Sequence, residues 1–168
     1  MIGIERIKKT LPHRYPILLL DQVLDVVPGQ RLTARKVISG NEPWYGLVGT
    51  DRQADHAYPP SLLVESWAQA GVLLGVWEQP NPDVLAGKVE LAGVIKDVQF
   101  GRPVFPGDVL EHRVRLVRAV GDTSILSGET VVGDETVLTA GQVVVALRDV
   151  DVLRPGFTTD REASHVPA

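Results

Sequence analysis

One stretch of the chain, Leu62–Trp77, constrains the fold more than any other. It is apolar on nearly every side and is interrupted only by Glu65, Ser66 and Gln69. Prolines stand just before and just after it, where they are compatible with the first turn of a helix and with its end. The pattern therefore predicts a helix over about Ser61–Glu78. A helix that is apolar all round is buried, so the rest of the chain must cover it.

The rest of the chain predicts about six β-strands. Its segments are rich in branched aliphatic residues, alternate in part between apolar and polar side chains, and are separated by glycine-containing turns. The expected strands are Ile17–Val27, Arg31–Ser39, Leu91–Phe100, Val109–Val120, Ser124–Val132 and Glu135–Arg148. A short helix of one or two turns is expected over residues 2–9. Because the long helix falls between the second and third strands, we expect an α+β fold in which an antiparallel sheet wraps around one central helix.

Length and composition exclude several kinds of protein. The 168 residues suit one domain, expected over residues 1–150, with a flexible C-terminal tail over residues 151–168. A net charge of −4 argues against a nucleic-acid partner. The absence of cysteine excludes disulfides and thiolate ligands, and the four scattered histidines predict no metal site. We expect neither a signal peptide nor a membrane span, and hence a cytoplasmic protein.

Glu65 and Gln69 are the first candidates for chemistry. They stand four residues apart, so they share one face of a helix that otherwise buries apolar side chains. A carboxylate in that position would be partly desolvated, which suits it to holding or donating a proton. The alternative is structural: the two side chains form a hydrogen bond, or both face solvent at the edge of a dimer.

The histidines offer one further candidate. His56 is the only histidine in the long irregular connection Gly40–Pro59, and near a buried carboxylate it could act as a general base. The alternative is an exposed loop side chain. For His13, which stands among prolines, we expect a structural hydrogen bond. For His112, which falls between two charged residues in a predicted strand, we expect a solvated face.

Several motifs in register resemble the Z-type bacterial 3-hydroxyacyl-acyl carrier protein dehydratases. Leu11-Pro12-His13-Arg14-Tyr15-Pro16 resembles the opening of that family. Glu65-Ser66-Trp67-Ala68-Gln69-Ala70 is similar to its Glu-Ala-x-Ala-Gln-Ala in the central helix, and Phe100–Asp108 to its Phe-x-Arg-Pro-Val-x-Pro-Gly-Asp. The resemblance, which extends from about residue 3 to 148, implies the hot-dog fold and a dimer with sites between subunits. It also implies an acyl carrier protein bearing a 3-hydroxyacyl or enoyl chain as partner, and no cofactor.

The resemblance also implies roles for individual residues. In that family a loop histidine takes the α-proton of the acyl thioester, and a carboxylate on the partner's central helix handles the leaving hydroxyl. Glu65 matches the carboxylate. Gln69, Trp67 and Tyr58 are then candidates for substrate binding. For Trp67 the alternative, which we favour, is packing in the core.

The loop half of the site departs from the family pattern. Counting back from Glu65 places Asp51 where the family has histidine. Asn41-Glu42-Pro43 also resembles a family motif, in which the histidine follows seven positions after the Asn, and that count reaches Val48. The two counts differ by three, so the loop carries a three-residue insertion. The family's glycine after the last proline donates an N–H to the thioester carbonyl. Here that position is Pro60, which has no N–H. The loss of one such donor typically lowers the rate by about 10²–10³-fold.

Three hypotheses follow. In the first, the chain is one subunit of a heteromeric dehydratase of fatty acid or polyketide biosynthesis, and Glu65 completes the site of a homologous subunit. In the second, it is a self-sufficient homodimeric dehydratase whose remodelled loop brings His56, which stands at the family's middle proline, to Glu65. In the third, it is an acyl thioesterase or a non-catalytic acyl-binding protein on the same fold.

Overall fold

The fold is a six-stranded antiparallel sheet curved around one helix, in a computed structural model that describes residues 1–47, 52 and 56–153. The helices are α1 (Ile4–Thr10) and α2 (Pro60–Gly75), with 3-10 turns at Pro43–Leu47 and Val150–Leu153. The strands are β1 (Gln22–Val27), β2 (Arg31–Val37), β3 (Lys88–Phe100), β4 (Val109–Val120), β5 (Thr123–Val132) and β6 (Glu135–Asp149). The prediction of an α+β fold with one central helix is confirmed.

The strand order explains how the helix is covered. The strands lie in the order β1-β2-β4-β5-β6-β3, and each neighbouring pair is antiparallel. Helix α2 packs against β2, β4 and β5, so its apolar side chains and the inner face of the sheet form one core. The largest fully buried side chains include Trp67, Leu73, Leu32, Leu110 and Leu126.

Several predicted boundaries move in the structure: β3 begins at Lys88 instead of Leu91 and β2 ends at Val37 instead of Ser39, and two further shifts have a clear physical reason. The first strand starts at Gln22 instead of Ile17, because the backbone of Ile17 and Leu19 is hydrogen-bonded to a helix side chain and not to a neighbouring strand. Helix α2 ends at Gly75, three residues before the predicted Glu78. Glycine is a poor helix former, which is consistent with an end at that point.

The prediction for His112 was wrong. The side chain is fully buried on the inner face of β4, with Leu110 and Val114 on either side of it along the strand. Its Nδ1 atom lies 2.8 Å from the hydroxyl oxygen of Thr130 on β5. The strand alternates strictly between buried and more exposed residues in this region, so the charged neighbours of His112 point away from the core.

Strand β3 lies at one edge of the sheet and pairs only with β6. It is 13 residues long, and four of its large apolar residues are exposed in the single chain. They are Leu91, Val94, Ile95 and Phe100. Long apolar edge strands are templates for pairing with another chain.

Two further findings concern the rest of the chain. Within the described ranges, no helix is long and apolar enough to span a membrane. Of the predicted tail over residues 151–168, only the first three residues are described, and they belong to the last 3-10 turn. The residues beyond Leu153 lie outside the described part of the chain, so the prediction of a flexible tail stays a prediction.

Candidate active site

The carboxylate of Glu65 is held by a neighbour on its own helix. Glu65 stands in the second turn of α2, and its Oε1 atom accepts a hydrogen bond of 2.8 Å from the side-chain amide of Gln69. This is the hydrogen bond that the four-residue spacing allowed. The Glu65 side chain is 37% exposed in the single subunit, so it is accessible to a substrate or a second chain.

Gln69 is itself fixed by the backbone of another segment. Its Nε2 group also donates to the carbonyl of Ile17 (2.7 Å), and its Oε1 atom accepts from the N–H of Leu19 (3.0 Å). The residue is only 1% exposed, and these bonds satisfy backbone groups that lie outside the sheet ladder. The amide therefore cannot turn without breaking three hydrogen bonds, and this fixes the direction of the donor that meets Glu65.

His13 completes the surroundings of the carboxylate. Its Nε2 atom lies 3.6 Å from Oε1 of Glu65, just beyond hydrogen-bond length. Burial lowers the pKa of His13, an effect that the Glu65 charge opposes and the Arg14 charge reinforces, and this shift favours the neutral imidazole. Sequence reasoning expected only a structural hydrogen bond here. The position of His13 in a family motif was the one available signal of a role near the site.

His56 stands apart from this group within the single chain. Its ring is stacked against Tyr45, with centroids 6.3 Å apart, and its Nδ1 atom lies 3.1 Å from the carbonyl oxygen of Arg52. A carbonyl can only accept, so Nδ1 is the donor in this contact. Among the described residues of one chain, the structure shows no bond between His56 and Glu65.

Tyr58 lies in a buried aromatic group just before α2. Its N–H donates to the carbonyl of Val104 (2.7 Å), and its ring meets Trp44 edge to face at 5.3 Å. The ammonium of Lys36 lies 5.4 Å from the same ring. Burial raises the pKa of Tyr58, and nearby carboxylates, Glu65 among them, raise it further. The structure thus places the phenol within electrostatic range of Glu65, and its role in substrate binding stays a prediction.

The motif Phe100–Asp108 holds the segment around Tyr58 in place. Arg102 forms two hydrogen bonds with the carboxylate of Asp108, at 2.8 and 3.1 Å, and a third with Glu135 at 2.8 Å. The same Asp108 carboxylate accepts the N–H of Phe105 at 2.9 Å. These bonds fix the turn. The carbonyl of Val104, the residue just before Phe105, accepts the hydrogen bond from the N–H of Tyr58. The motif therefore supports the segment that leads into α2.

Trp67 lies on the opposite side of α2 from Glu65. Two helical residues correspond to a rotation of about 200°. The Trp67 ring is 1% exposed, approaches within 3.2 Å of the position that a Cβ on Gly128 would take, and directs its N–H towards the Arg113 carbonyl at 3.4 Å. This placement supports the packing role that we favoured for Trp67.

Pro60 is the first residue of α2, where a proline is well accommodated because the first N–H groups of a helix have no partner within it. At the position where the family pattern has a glycine, this helix therefore presents no backbone donor. Val48 and Asp51, the two positions that counting along the loop gives for the family's histidine, lie outside the described residues. The described part shows a Glu65 carboxylate held by Gln69, on a helix whose first residue, Pro60, has no N–H; the loss of the family's amide donor stays a prediction.

Comparisons with known proteins show the family of the chain. A FabA-like domain matches residues 11–141. The FabZ 3-hydroxyacyl-[acyl-carrier-protein] dehydratase of Symbiobacterium thermophilum is 40% identical over 125 residues, which are 74% of this chain and 83% of that protein. The FabZ dehydratase of Natranaerobius thermophilus is 37% identical over 147 residues, which are 88% of this chain and 98% of that protein.

Solved structures show the same fold. The dehydratase heterocomplex ApeI:P from Xenorhabdus doucetiae superposes with a TM-score of 0.72 at 17% identity, over 91% of this chain and 95% of that one. A hot-dog-like protein from Thermanaerovibrio acidaminovorans superposes with a TM-score of 0.58 at 17% identity, over 75% and 86%. The chain has the hot-dog fold and belongs to the FabA-like family, among the FabZ-type 3-hydroxyacyl-acyl carrier protein dehydratases.

Proposed function

We propose that this chain is the carboxylate-donating subunit of a heteromeric 3-hydroxyacyl-acyl carrier protein dehydratase. It acts in the cytoplasm on acyl chains of fatty acid or polyketide biosynthesis. The observation that carries the proposal is the contrast between the two halves of the site: Glu65 is supported by Gln69 and His13, whereas the helix that should offer an amide begins with Pro60.

The chemistry divides naturally between two chains. Dehydration removes a proton from the carbon next to the thioester carbonyl and removes the 3-hydroxyl group as water, leaving a double bond between them. Glu65 in its acid form gives the proton to the leaving hydroxyl. A histidine on the homologous subunit takes the α-proton, and a backbone N–H of that subunit stabilises the negative charge on the thioester oxygen.

The exposed edge of β3 supports the presence of a second subunit. It offers 13 residues of backbone and four large apolar side chains to another sheet. The solved heterocomplex ApeI:P is described as a dehydratase, so a dehydratase of this fold is known as a complex of different chains. For the present chain the homologous partner is part of the proposal.

The tautomer of His56 favours one alternative. With Nδ1 donating to the Arg52 carbonyl, Nε2 is the ring nitrogen that could accept a proton from a substrate. A homodimer in which this nitrogen approaches Glu65 of the second copy would be a self-sufficient dehydratase. Pro60 would still remove one donor from each of its sites, so such an enzyme would be slow.

Hydration of a crotonyl thioester tests the proposal. The chain is assayed alone and after co-expression with a homologous dehydratase subunit from the same genome that keeps the loop histidine and the glycine. We expect activity of the pair that falls by about 10²–10⁴-fold in Glu65→Gln of this chain, because the proton donor to the hydroxyl is removed. Glu5→Gln, which alters an exposed carboxylate on α1, is the matched control and should leave the rate unchanged.

Three other outcomes would each contradict the heteromeric hypothesis. Activity of the chain alone that His56→Ala abolishes would establish the homodimer. Release of free crotonic acid would identify a thioesterase. A pair whose hydration rate does not respond to Glu65→Gln would show that this carboxylate takes no part in the reaction.

A further inference from the structure

A small cavity lies beside the candidate site, between α2 and the edge strand β3. Its volume is about 70 Å³. Val72 and Val76 line it from the helix, Val89 and Glu90 from the strand, and His13 from the segment after α1. Three of these side chains are aliphatic, so the cavity is suited to part of a hydrocarbon chain.

The cavity continues the face of α2 that carries Glu65. Residues 65, 69, 72 and 76 follow one another at spacings of three and four, so they form one stripe along the helix. Val72 is seven residues beyond Glu65, an axial distance of about 10 Å. His13 connects the two places, since it lies 3.6 Å from the Glu65 carboxylate and also lines the cavity.

Glu90 is the unusual residue of this cavity. Its Oε2 atom is buried and has no hydrogen-bond partner among the described residues. Burial raises the pKa of the carboxyl to about 8, so at pH 7 most molecules carry it as a neutral acid that can donate as well as accept. Glycine at position 75 leaves space for the Glu90 side chain, because a Cβ there would stand only 2.8 Å from Oε1 of Glu90.

A second unsatisfied polar atom lines the same cavity. The Nδ1 atom of His13 is also buried without a partner in the described part of the chain. The other polar lining groups are already engaged: the Thr10 hydroxyl donates to the Arg6 carbonyl, the Asn81 amide donates to two backbone carbonyls, and the Lys88 ammonium donates to the Asp122 carboxylate at 2.7 Å. Buried polar atoms are normally paired, so two unpaired atoms from separate elements indicate a site for a polar group.

We propose that this cavity receives the distal part of the acyl chain and that Glu90 makes it select chains with a hydroxyl or keto group there over saturated alkyl chains. The inference rests on the proposed function, whose carboxylate fixes where the thioester lies. The cavity is also short of space for a long alkyl tail. A single water needs roughly 10–15 Å³ of such volume, so the cavity admits only a few heavy atoms.

Binding of unreactive ligands tests this separately from catalysis. The ligands are acyl-pantetheine amides that carry a decanoyl chain, a 10-hydroxydecanoyl chain, or a butanoyl chain too short to reach the cavity. Calorimetry measures each with the intact protein, alone or paired. We expect the hydroxylated chain to bind roughly 3- to 10-fold more tightly than the decanoyl chain, the gain of one hydrogen bond.

Three variants make the result interpretable. Glu90→Leu should abolish or reverse the preference, Glu90→Gln should keep much of it because the amide still donates, and Glu5→Leu should change nothing. Butanoyl binding should be the same in all of them. Melting temperatures show whether Glu90→Leu is folded; if it is not, the comparison is repeated with Glu90→Ala, which is smaller and also lacks a hydrogen-bond donor.

The outcomes separate the two proposals. Equal preferences in the parent chain and in folded Glu90→Leu, or a parent preference for the plain alkyl chain, would overturn the role of Glu90. A preference that depends on Glu90 in a protein without hydration activity would uphold the cavity while refuting the dehydratase. Binding of the butanoyl ligand without binding of either ten-carbon ligand, with crotonyl hydration intact, would refute the cavity alone.

Discussion

At the scale of single residues, Gln69 shows how a polar side chain is made rigid inside a core. Its amide oxygen and nitrogen are both occupied, by the backbone of Leu19 and Ile17 and by Glu65. A buried polar group left without a partner would cost about 1–3 kcal/mol. The Gln69 side chain, which donates to the Glu65 carboxylate, is therefore held in place by its hydrogen bonds to the backbone of Ile17 and Leu19.

His13 should act on the reaction by positioning Glu65. We expect His13→Ala to lower kcat by on the order of 10- to 100-fold with little change in KM, because the carboxylate loses a neighbour that restricts its position. His13→Gln keeps an N–H donor and should recover part of the loss. The measurements are kcat, KM and the pH–rate profile in the assembly that is active. Equal kcat values for the parent and His13→Ala would show that the contact is only structural.

At the scale of elements, strand β4 buries a titratable group in the middle of the core. Burial, reinforced by the nearby charge of Lys36, lowers the pKa of His112 to about 3. The folded protein keeps the imidazole neutral over a range in which the unfolded chain takes up a proton. The unfolded state therefore binds more protons below its ordinary pKa of about 6.5, and stability must fall as the pH falls.

The pH dependence of unfolding tests this. Between pH 6.5 and pH 3 His112 should lower the free energy of unfolding by up to about 1.4 kcal/mol per pH unit. Urea denaturation at pH 7, 6 and 5 should show a shallower dependence in His112→Gln, which keeps a polar partner for Thr130. Some dependence will remain, because burial also lowers the pKa of His13. Identical slopes for the two proteins would contradict the assignment.

At the scale of the whole molecule, the two edges of the sheet are unlike each other. The β1 edge is six residues long and is partly covered by a bridge from Ile2 to Val23, whereas the β3 edge is 13 residues long and carries four exposed large apolar side chains. Only the second is a suitable surface for another sheet. The cavity beside Glu90 lies against this same edge strand, so assembly and ligand binding share one element.

A charge on that edge should weaken assembly. Ile95→Lys is expected to raise the dissociation constant of the dimer, with itself or with a partner, by roughly 10-fold or more, because a lysine would be buried without a counter-charge. Val117→Lys on β4 is the matched control, since Val117 is an exposed strand residue away from this edge. Light scattering after gel filtration measures the mass. A dimer that tolerates Ile95→Lys as well as Val117→Lys would place the interface elsewhere.

The fold could be predicted nearly whole from the sequence, because its signals are local. One all-apolar helix and six segments with turn residues between them leave few arrangements that bury the helix. His112 was misplaced because charged neighbours were taken as evidence for the side chain between them, although alternation along a strand implies the opposite.

The site was less accessible to sequence reasoning, because its contacts join distant segments. Glu65 and Gln69 could be paired from their spacing, yet the backbone of Ile17 and the approach of His13 depend on how the first 20 residues cross α2. The same holds for Glu90. Its burial against Gly75 joins a strand to a helix, and nothing in the sequence around it distinguishes it from a surface glutamate.

The packing of Trp67 against Gly128 has a consequence at the far side of the helix. A Cβ at position 128 would overlap the Arg113 carbonyl oxygen and would stand 3.2 Å from the indole of Trp67. A side chain there would press on the indole, and any turn of α2 about its long axis that relieved the contact would carry Glu65 with it, because the two residues extend from one rigid cylinder in opposite directions. The angular setting of the acid is thus linked to a glycine that packs against the opposite side of the helix.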